Sequence, residues 1–190
     1  MEIKNIFVVG AGFMGSGIAQ TAIQSGYNVT IHDQSEAALE RAKTNIGKNM
    51  DRLVSKGRMT EEQKAAALAL LTTSSSIHTA ANADLVIEAI FEDLNAKRAI
   101  FEELDKICPK DTIFASNTSS ISLTSLAAAT SRAEQVVGMH FFSPVPVMRL
   151  LEVVHGLRTS QEAIDAAMEV GKKMGKTMIL AKDKPGFIVN

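Results

Sequence analysis

The chain has 190 residues, a formal net charge of −1 at neutral pH and a hydrophobic fraction of 46%. This length is enough for one well-filled core with a small appendage, and the balanced charge gives no field that favours nucleic acid or a membrane surface. No apolar run reaches the ~20 residues that cross a bilayer, and no basic, apolar leader precedes the first predicted strand. The single cysteine, Cys108, excludes an internal disulfide. We therefore expect a cytoplasmic globular protein with no nucleic-acid or membrane partner.

The segment from residue 3 to residue 33 gives the strongest signal in the chain. Residues 3–9 are apolar and β-branched, which predicts a strand, and three glycines follow at the spacing of the dinucleotide-binding fingerprint. Gly10 would permit the tight turn out of the strand, and Gly12 would let a pyrophosphate approach the backbone. Gly15 would let the next helix pack closely on the strand. The alternative is a glycine-rich turn with a purely structural role.

An acidic residue ends the second predicted strand. Asp33 lies 18 residues after Gly15 (33 − 15), where a carboxylate would accept hydrogen bonds from the ribose hydroxyls of NAD. The same charge would repel the extra phosphate of NADP, and no arginine follows at once, because Gln34 and Ser35 come next. The segment therefore predicts NAD rather than NADP as the cofactor. A solvated loop aspartate is the alternative interpretation.

The rest of the chain alternates between helix and strand patterns. A long helix is predicted from Glu36 to about Lys56, and a capping box at Thr60 opens a second helix to about Leu71, so that the two form an inserted helical hairpin. Further strands are predicted at 72–77, 83–89, 112–116, 135–142, 148–154 and 176–181, and helices at 95–107, 122–129 and 160–174. This order is typical of a Rossmann-type, doubly wound α/β domain with a mostly parallel sheet. We place this domain at residues 1–184.

Polar side chains cluster where the predicted strands end, which is the edge at which open α/β sheets bind ligands. The clusters are Glu88 and Glu92 with Lys97, the run at 116–120, His140, and Glu152. His140 and Glu152 both lie in otherwise apolar runs, and a buried carboxylate needs a partner. Pairing them would fix the imidazole tautomer and raise its basicity, as an alcohol-oxidising enzyme requires. Alternatively, the histidine is an ordinary core residue and the serine run caps the helix that follows.

Four motifs resemble the NAD-binding domain of the L-3-hydroxyacyl-CoA dehydrogenases, most of all the bacterial 3-hydroxybutyryl-CoA enzymes. They are residues 10–15, 116–120, 140–148 and 183–190, and the likeness covers essentially the whole chain. The resemblance implies reversible oxidation of an L-3-hydroxyacyl-CoA to the 3-ketoacyl-CoA with NAD, in fatty-acid or butanoate metabolism. It also implies a helical domain that closes the acyl pocket and makes a dimer. We expect residues 185–190 to begin the linker to that domain, which is absent from this chain.

The resemblance also implies roles for individual residues. His140 would be the acid/base that Glu152 orients, Ser119 would contact the substrate oxygen, and Asn190 would help to hold the reacting group. Cofactor contacts are implied for Gly10, Gly12, Phe13, Met14, Gly15, Asp33, Glu92, Lys97, Asn117, Ser119 and Ser143. The family usually has asparagine where this chain has Ser143. No metal site is expected.

The resemblance also places the coenzyme A phosphates against basic residues of the long hairpin. Arg52 and Lys56 are the matching candidates, and their spacing of four puts them on one helix face. A solvated basic patch is the alternative interpretation of these two residues. We therefore expect an acyl-CoA substrate, with its phosphates at this helix.

Two other functions remain open at this stage. The first is an NAD-binding module without turnover, which would have no use for a His140–Glu152 pair. The second is a dehydrogenase of a free hydroxy acid, which would need an arginine for the substrate carboxylate. Arg149 is the only arginine near the histidine, and no motif recommends it.

Overall fold

The computed structural model of the protein describes residues 2–184 and Phe187. The strands are β1 (Asn5–Val9), β2 (Asn28–His32), β3 (Leu71–Ser74), β4 (Leu85–Glu88), β5 (Ile113–Ser116), β6 (Val136–Phe141), β7 (Leu150–His155) and β8 (Thr177–Lys182). The helices are α1 (Phe13–Gln24), α2 (Glu36–Ser55), α3 (Glu61–Leu68), α4 (Leu94–Ile107), α5 (Leu123–Ala127) and α6 (Gln161–Lys173), with 3-10 turns at Ile77–Asn82 and Ala133–Gln135.

The strands of the described part of the chain form one sheet in the order β3-β2-β1-β4-β5-β6-β7-β8. Every neighbouring pair is parallel except β6 and β7, which run antiparallel. The predicted Rossmann-type, mostly parallel sheet is thus confirmed. Because β1, β4, β5 and β6 are parallel, their carboxyl ends meet at one edge of the sheet, which we call the ligand edge.

Two apolar layers cover the two faces of the sheet. Successive side chains of a strand point to opposite faces, so Val8 of β1 belongs to one layer and Phe7 to the other. The first layer includes residues of α1, α2 and α6, and the second includes residues of α4 and α5. The layers hold the strands in place and therefore fix the position of the ligand edge.

The predicted helical hairpin is present and packs on α1. Helix α2 buries Leu39, Ala42, Ile46 and Met50, which repeat at helical spacing. Thr60 caps α3 in the predicted capping box, since its hydroxyl accepts from Gln63 N while the Gln63 side chain accepts from Thr60 N. Helices α2 and α3 contact each other and both contact α1. The hairpin is therefore part of the packed domain.

The observed boundaries differ from the predicted ones at a few places. Helix α3 ends at Leu68, before the predicted end near residue 71, because the chain enters β3 at Leu71. The residues that follow β3 form a 3-10 turn rather than an extension of the strand. Within the described ranges, no helix is long and apolar enough to cross a membrane. The predicted linker at 185–190 lies outside the described residues apart from Phe187.

Candidate active site

The glycine turn between β1 and α1 has the geometry that a pyrophosphate needs. Gly10 has a φ of 105°, and a Cβ added at Gly15 would lie 1.9 Å from the Gly10 carbonyl oxygen. At Gly12 an added Cβ would meet nothing within 4 Å, so the backbone there is open. No side chain caps the first N–H groups of α1, and its first turn has no acidic residue. These N–H groups and the positive end of the helix dipole fit the phosphates of a dinucleotide.

Asp33 follows β2 directly beside this turn. Its Oδ2 accepts a hydrogen bond from Ala11 N at 3.0 Å, and its Oδ1 accepts from Ser35 N at 2.9 Å. These bonds fix the half-buried carboxylate next to the glycine turn, where a ribose would lie. Phe13 is 70% exposed at the start of α1, whereas Met14 is half-buried against the first apolar layer. The predicted ribose contact of Asp33 stays a prediction.

His140 and Glu152 form a buried pair on β6 and β7. They lie directly opposite each other in the antiparallel register, and His140 Nδ1 is 2.6 Å from Glu152 Oε2. His140 is 6% exposed and Glu152 is fully buried. A carboxylate can only accept, so Nδ1 donates and Nε2 is left as the basic nitrogen. The pairing expected from the two apolar runs is thus present.

Two aromatic rings contact the His140 imidazole. The ring centroid of Phe142 is 4.5 Å away, and that of Phe187 is 5.8 Å away in an edge-on orientation. The contact with Phe187 was not predicted, because Phe187 lies 47 positions further along the chain (187 − 140). The two rings restrict solvent access and the rotation of the imidazole.

The serine run forms a loop after β5 that Glu92 holds. Glu92 Oε1 accepts from the Thr118 hydroxyl at 2.6 Å, from Ser119 N at 2.7 Å and from the Ser119 hydroxyl at 3.2 Å. Burial disfavours the charged carboxylate, but these bonds and the nearby Lys97 ammonium outweigh it and lower the pKa of Glu92. Ser122, not Ser119, caps α5. The alternative that the serine run at 116–120 caps this helix is therefore wrong.

Asn117 joins this loop to the strand that carries His140. Its backbone N donates to the Glu88 carbonyl at 2.8 Å, and its side-chain Oδ1 accepts from Phe141 N at 2.8 Å. The side-chain bond ties the loop to the end of β6, one residue beyond the histidine. The side-chain oxygen of Asn117 thus already accepts a hydrogen bond from the neighbouring strand. The predicted cofactor contact of Asn117 stays a prediction.

A large open cleft borders the glycine turn. It has a volume of about 1060 Å³, and its wall includes Gly12, Asp33, helix α2 and residues 144–149. Arg52 and Lys56 both line it and both are exposed. Within the described residues, the wall does not include His140 or Ser119. The basic residues and the histidine pair are therefore separate parts of the candidate site.

One residue near the site, Asp183, was not predicted as a site residue from the sequence. Asp183, after β8, accepts hydrogen bonds from the Ser122 hydroxyl and from the backbone and hydroxyl groups at the start of α5. Burial disfavours its charged form, but these bonds lower the pKa of Asp183. Contacts that span 61 positions leave no local sequence pattern.

Ser143 and Asn190 are two further residues that were predicted to belong to the site. Ser143 is exposed after β6, and Asn190 lies outside the described residues.

In the part of the chain that the structure describes, no group of three side chains could hold a metal ion. The expected lack of a metal centre stays a prediction.

Lys97, which was predicted to touch the cofactor, is 1% exposed, with its Nζ 2.7 Å from Glu88 Oε1. The predicted contact is not tested by this placement. The buried position nevertheless shows that the lysine serves other residues of the site.

Comparisons with known proteins agree with this arrangement. Residues 5–184 match the family model of the 3-hydroxyacyl-CoA dehydrogenase, NAD binding domain. A probable 3-hydroxybutyryl-CoA dehydrogenase of Bacillus subtilis is 47% identical over 190 residues, which are 100% of this chain and 66% of that protein. The 3-hydroxybutyryl-CoA dehydrogenase of Clostridioides difficile is 40% identical over 96% of this chain and 65% of its own length.

The crystal structure of (S)-3-hydroxybutyryl-CoA dehydrogenase from Ralstonia eutropha has the same fold. The two structures agree with a TM-score of 0.97 at 45% identity, over 100% of this chain and 67% of that chain. The chain spans slightly less than two thirds of the two curated relatives, at 66% and 65%. The matched family and the geometry of the glycine turn point to the same cofactor. The chain therefore belongs to the 3-hydroxyacyl-CoA dehydrogenase family, as its NAD-binding domain.

Proposed function

We propose that this chain binds NAD and supplies the acid–base pair for the oxidation of an L-3-hydroxyacyl-CoA to the 3-ketoacyl-CoA. The single observation that carries the proposal is the buried His140–Glu152 hydrogen bond of 2.6 Å at the ligand edge. An NAD-binding module without turnover has no use for such a pair. The family relatives support the acyl-CoA substrate, because both curated relatives are named as 3-hydroxybutyryl-CoA dehydrogenases.

Bound NAD supplies the acceptor for the hydride of the substrate alcohol. The free N–H groups of the glycine turn bind its phosphates, and Asp33 accepts hydrogen bonds from its ribose. The glycine turn and Asp33 lie at the carboxyl ends of β1 and β2, the edge at which open α/β sheets bind ligands. In this proposal Glu92 and Asn117 face the same cofactor, and Ser143 contacts it where the family has asparagine.

The acid–base step uses the histidine pair. His140 Nε2 takes the proton from the substrate hydroxyl as the alcohol becomes a ketone. The imidazole gains a positive charge in this step, and Glu152 stabilises that charge through the Nδ1 hydrogen bond. Phe142 and Phe187 limit the access of water to the ring. Ser119 contacts the substrate oxygen, and Asn190 helps to hold the reacting group.

The substrate is proposed to be a short-chain acyl-CoA, with 3-hydroxybutyryl-CoA as the first candidate. Arg52 and Lys56 are exposed in the wall of the open cleft, where they attract the coenzyme A phosphates. A free hydroxy acid fits less well, because Arg149 lines the same cleft, and the described part of that wall does not include the histidine pair. The enzyme would act in fatty-acid or butanoate metabolism in the cytoplasm, which the single cysteine supports.

The two curated relatives are longer than the matched region. We propose that residues 1–184 form the cofactor domain and that residues 185–190 begin the linker to a helical domain that closes the acyl pocket and makes a dimer. The chain alone then binds NAD but turns over slowly, since the acyl group remains open to water.

The proposal is tested by NADH formation with 3-hydroxybutyryl-CoA and, separately, with free 3-hydroxybutyrate. Both are measured for the chain and for the chain fused to the segment by which the Bacillus subtilis relative is longer. We expect low activity with the acyl-CoA from the chain, a large increase in the fusion, and none with the free acid. A fusion that binds NADH but oxidises neither compound would support a binding module instead. Oxidation of the free acid alone would show that the substrate class is wrong.

A further inference from the structure

Three charged side chains meet beneath the serine loop. Lys97 Nζ lies 2.7 Å from Glu88 Oε1, 3.1 Å from Glu92 Oε2 and 3.3 Å from the Ile90 carbonyl oxygen. It donates hydrogen bonds to Glu88 Oε1 and to the Ile90 carbonyl, and Glu92 is its second ion-pair partner. The Lys97 side chain is 1% exposed.

Glu88 connects the ends of two neighbouring strands. Its Oε2 accepts from the Ser116 hydroxyl at 2.6 Å, and its Oε1 accepts from Ile90 N at 2.7 Å. Ser116 in turn accepts a hydrogen bond from Thr118 N at 3.2 Å through its own hydroxyl. The fully buried Glu88 thus fixes the point at which the serine loop leaves β5.

The two oxygens of Glu92 have different partners. Oε2 faces Lys97, whereas Oε1 accepts the hydrogen bonds from Thr118 and Ser119. Lys97 therefore sets the orientation of the carboxylate that holds Ser119. The serine loop is held from both sides, by Ser116 below and by Glu92 above.

Stability alone does not explain the buried Glu88–Lys97 pair. Two charges that leave water lose solvation, and apolar residues of similar volume often serve a core as well or better. In return, Glu88 bonds to Ser116, and Glu92 bonds to Thr118 and Ser119, so the two carboxylates hold the serine loop in a fixed direction. The fixed direction is what a site needs when one hydroxyl must be placed accurately.

We propose that Glu88 and Lys97 are positioning residues for the serine loop. Lys97 orients Glu92, Glu88 holds Ser116, and the two together place Ser119 at the ligand edge. Lys97 thus acts on the serine loop through Glu92. The inference rests on the proposed function in one respect, that Ser119 and Glu92 face the bound cofactor.

The test compares the parent chain with the double variant Glu88→Gln/Lys97→Met. No unpaired buried charge remains in this variant, so we expect it to fold with a melting temperature close to that of the parent. We expect the Ser119 amide to exchange its hydrogen about tenfold faster, and NADH, measured by calorimetry, to bind about tenfold more weakly, as for the loss of one charge-assisted hydrogen bond. Arg158→Met is the control, because it removes the exposed 3.2 Å pair with Glu134 far from the ligand edge.

A purely structural pair would give a different result. If the double variant folds and keeps the parent exchange rate at Ser119, the inference is wrong, and weaker NADH binding alone would then indicate a direct contact of Lys97 with the cofactor. If it does not fold, Ser116→Ala decides, because it removes only the hydroxyl between Glu88 and Thr118. We then expect faster exchange at the Ser119 amide, whose acceptor is Glu92 rather than Ser116, and an unchanged rate would overturn the inference. Neither measurement needs turnover, so a fusion that binds NADH but is inactive would contradict the proposed function alone.

Discussion

Charged side chains occur in both parts of the candidate site, but the two parts place them in opposite ways. Near the ligand edge, His140 is hydrogen-bonded to Glu152, and Lys97 forms an ion pair with Glu88. All four side chains are buried. In the open cleft, Arg52 and Lys56 are exposed, and neither forms an ion pair with another described residue. The buried part is therefore organised before any ligand binds, whereas the cleft is not.

Buried charges and exposed charges contribute to an enzyme in different ways. A buried, bonded group has a fixed position, so it can stabilise a transition state without reorganising. An exposed cation attracts a phosphate over a longer range, but salt screens that attraction and its side chain stays mobile. Substitutions in the buried part should therefore lower kcat strongly, and those in the cleft should change KM slightly and in a salt-dependent way.

The largest effect is expected at the histidine. His140→Gln should lower kcat at least ~100-fold, the lower range for general acid–base catalysis, because the variant cannot take the hydroxyl proton. The affinity for NADH should change little, since the imidazole acts on the substrate. Turnover is measured in the fusion if the chain alone is inactive. Near-parent kcat in this variant would mean that the proton goes to another group.

Glu152→Gln should have the next largest effect. The amide keeps the size of the side chain but cannot stabilise the imidazolium, which corresponds to roughly 10- to 100-fold in kcat for one hydrogen bond to a charged group. The KM for the acyl-CoA should stay within a few-fold of the parent value. If kcat is retained while KM rises, then the carboxylate serves binding rather than the proton transfer.

The cofactor preference should depend on Asp33. In Asp33→Asn the amide oxygen still accepts from the turn, but the negative charge that repels a 2′-phosphate is gone. We expect NADH to bind about tenfold more weakly and NADPH to bind more tightly than to the parent. Calorimetric titration with both cofactors measures this. A parent chain that binds NADPH as well as NADH would show that Asp33 does not select the cofactor.

The hydrogen bonds that Asp183 accepts at the start of α5 should affect the stability of the fold and its pH dependence. Asp183→Asn weakens the bonds to α5 and should lower the free energy of unfolding by about 1–2 kcal/mol at pH 7. Because the folded-state pKa of Asp183 is lowered, its contribution is present above the unfolded pKa and is lost as the pH falls through the folded pKa. The gap in melting temperature between parent and variant should therefore close in acid. A gap that is constant down to pH 2 would contradict this.

The smallest effects are expected in the cleft. Arg52→Ala and Lys56→Ala should each raise the KM for the acyl-CoA by about two- to fivefold, as for an exposed ion pair. The change should shrink in 0.5 M salt, which shortens the screening length to roughly 4 Å. Lys43→Ala, on α2 but outside the cleft wall, is the matched control. Equal effects of all three variants would favour a general basic patch over a phosphate site.

The sequence was most informative where a function needs a local pattern. The glycine turn and Asp33 could be predicted because a tight turn, a helix start and a strand end must follow at set spacings. The His140–Glu152 pair could be predicted because each polar residue interrupts an apolar run. Both follow from the requirements of short segments.

Other features depend on contacts between distant segments and were not predicted. Asp183 meets α5 across 59 to 61 positions, and Glu92 meets Ser119 across 27. A strand pattern with a period of two also has no direction, so the reversal of β7 against β6 could not be derived from its residues. These contacts are set by the packing of the whole sheet.

The antiparallel pairing of β6 and β7 decides which sequence changes this site tolerates. Side chains alternate between the faces of a strand, so one residue inserted in β7 ahead of Glu152 would turn that carboxylate into the aliphatic layer beneath α6. No substitution at His140 would compensate for such a shift. In contrast, a change in the length of the connection at 142–149 would move Phe142, Ser143 and part of the cleft wall, but it would leave the pairing of His140 with Glu152 intact, because the register belongs to the strands. In evolution or engineering, the histidine pair should therefore survive a new loop but not a shift in strand phase.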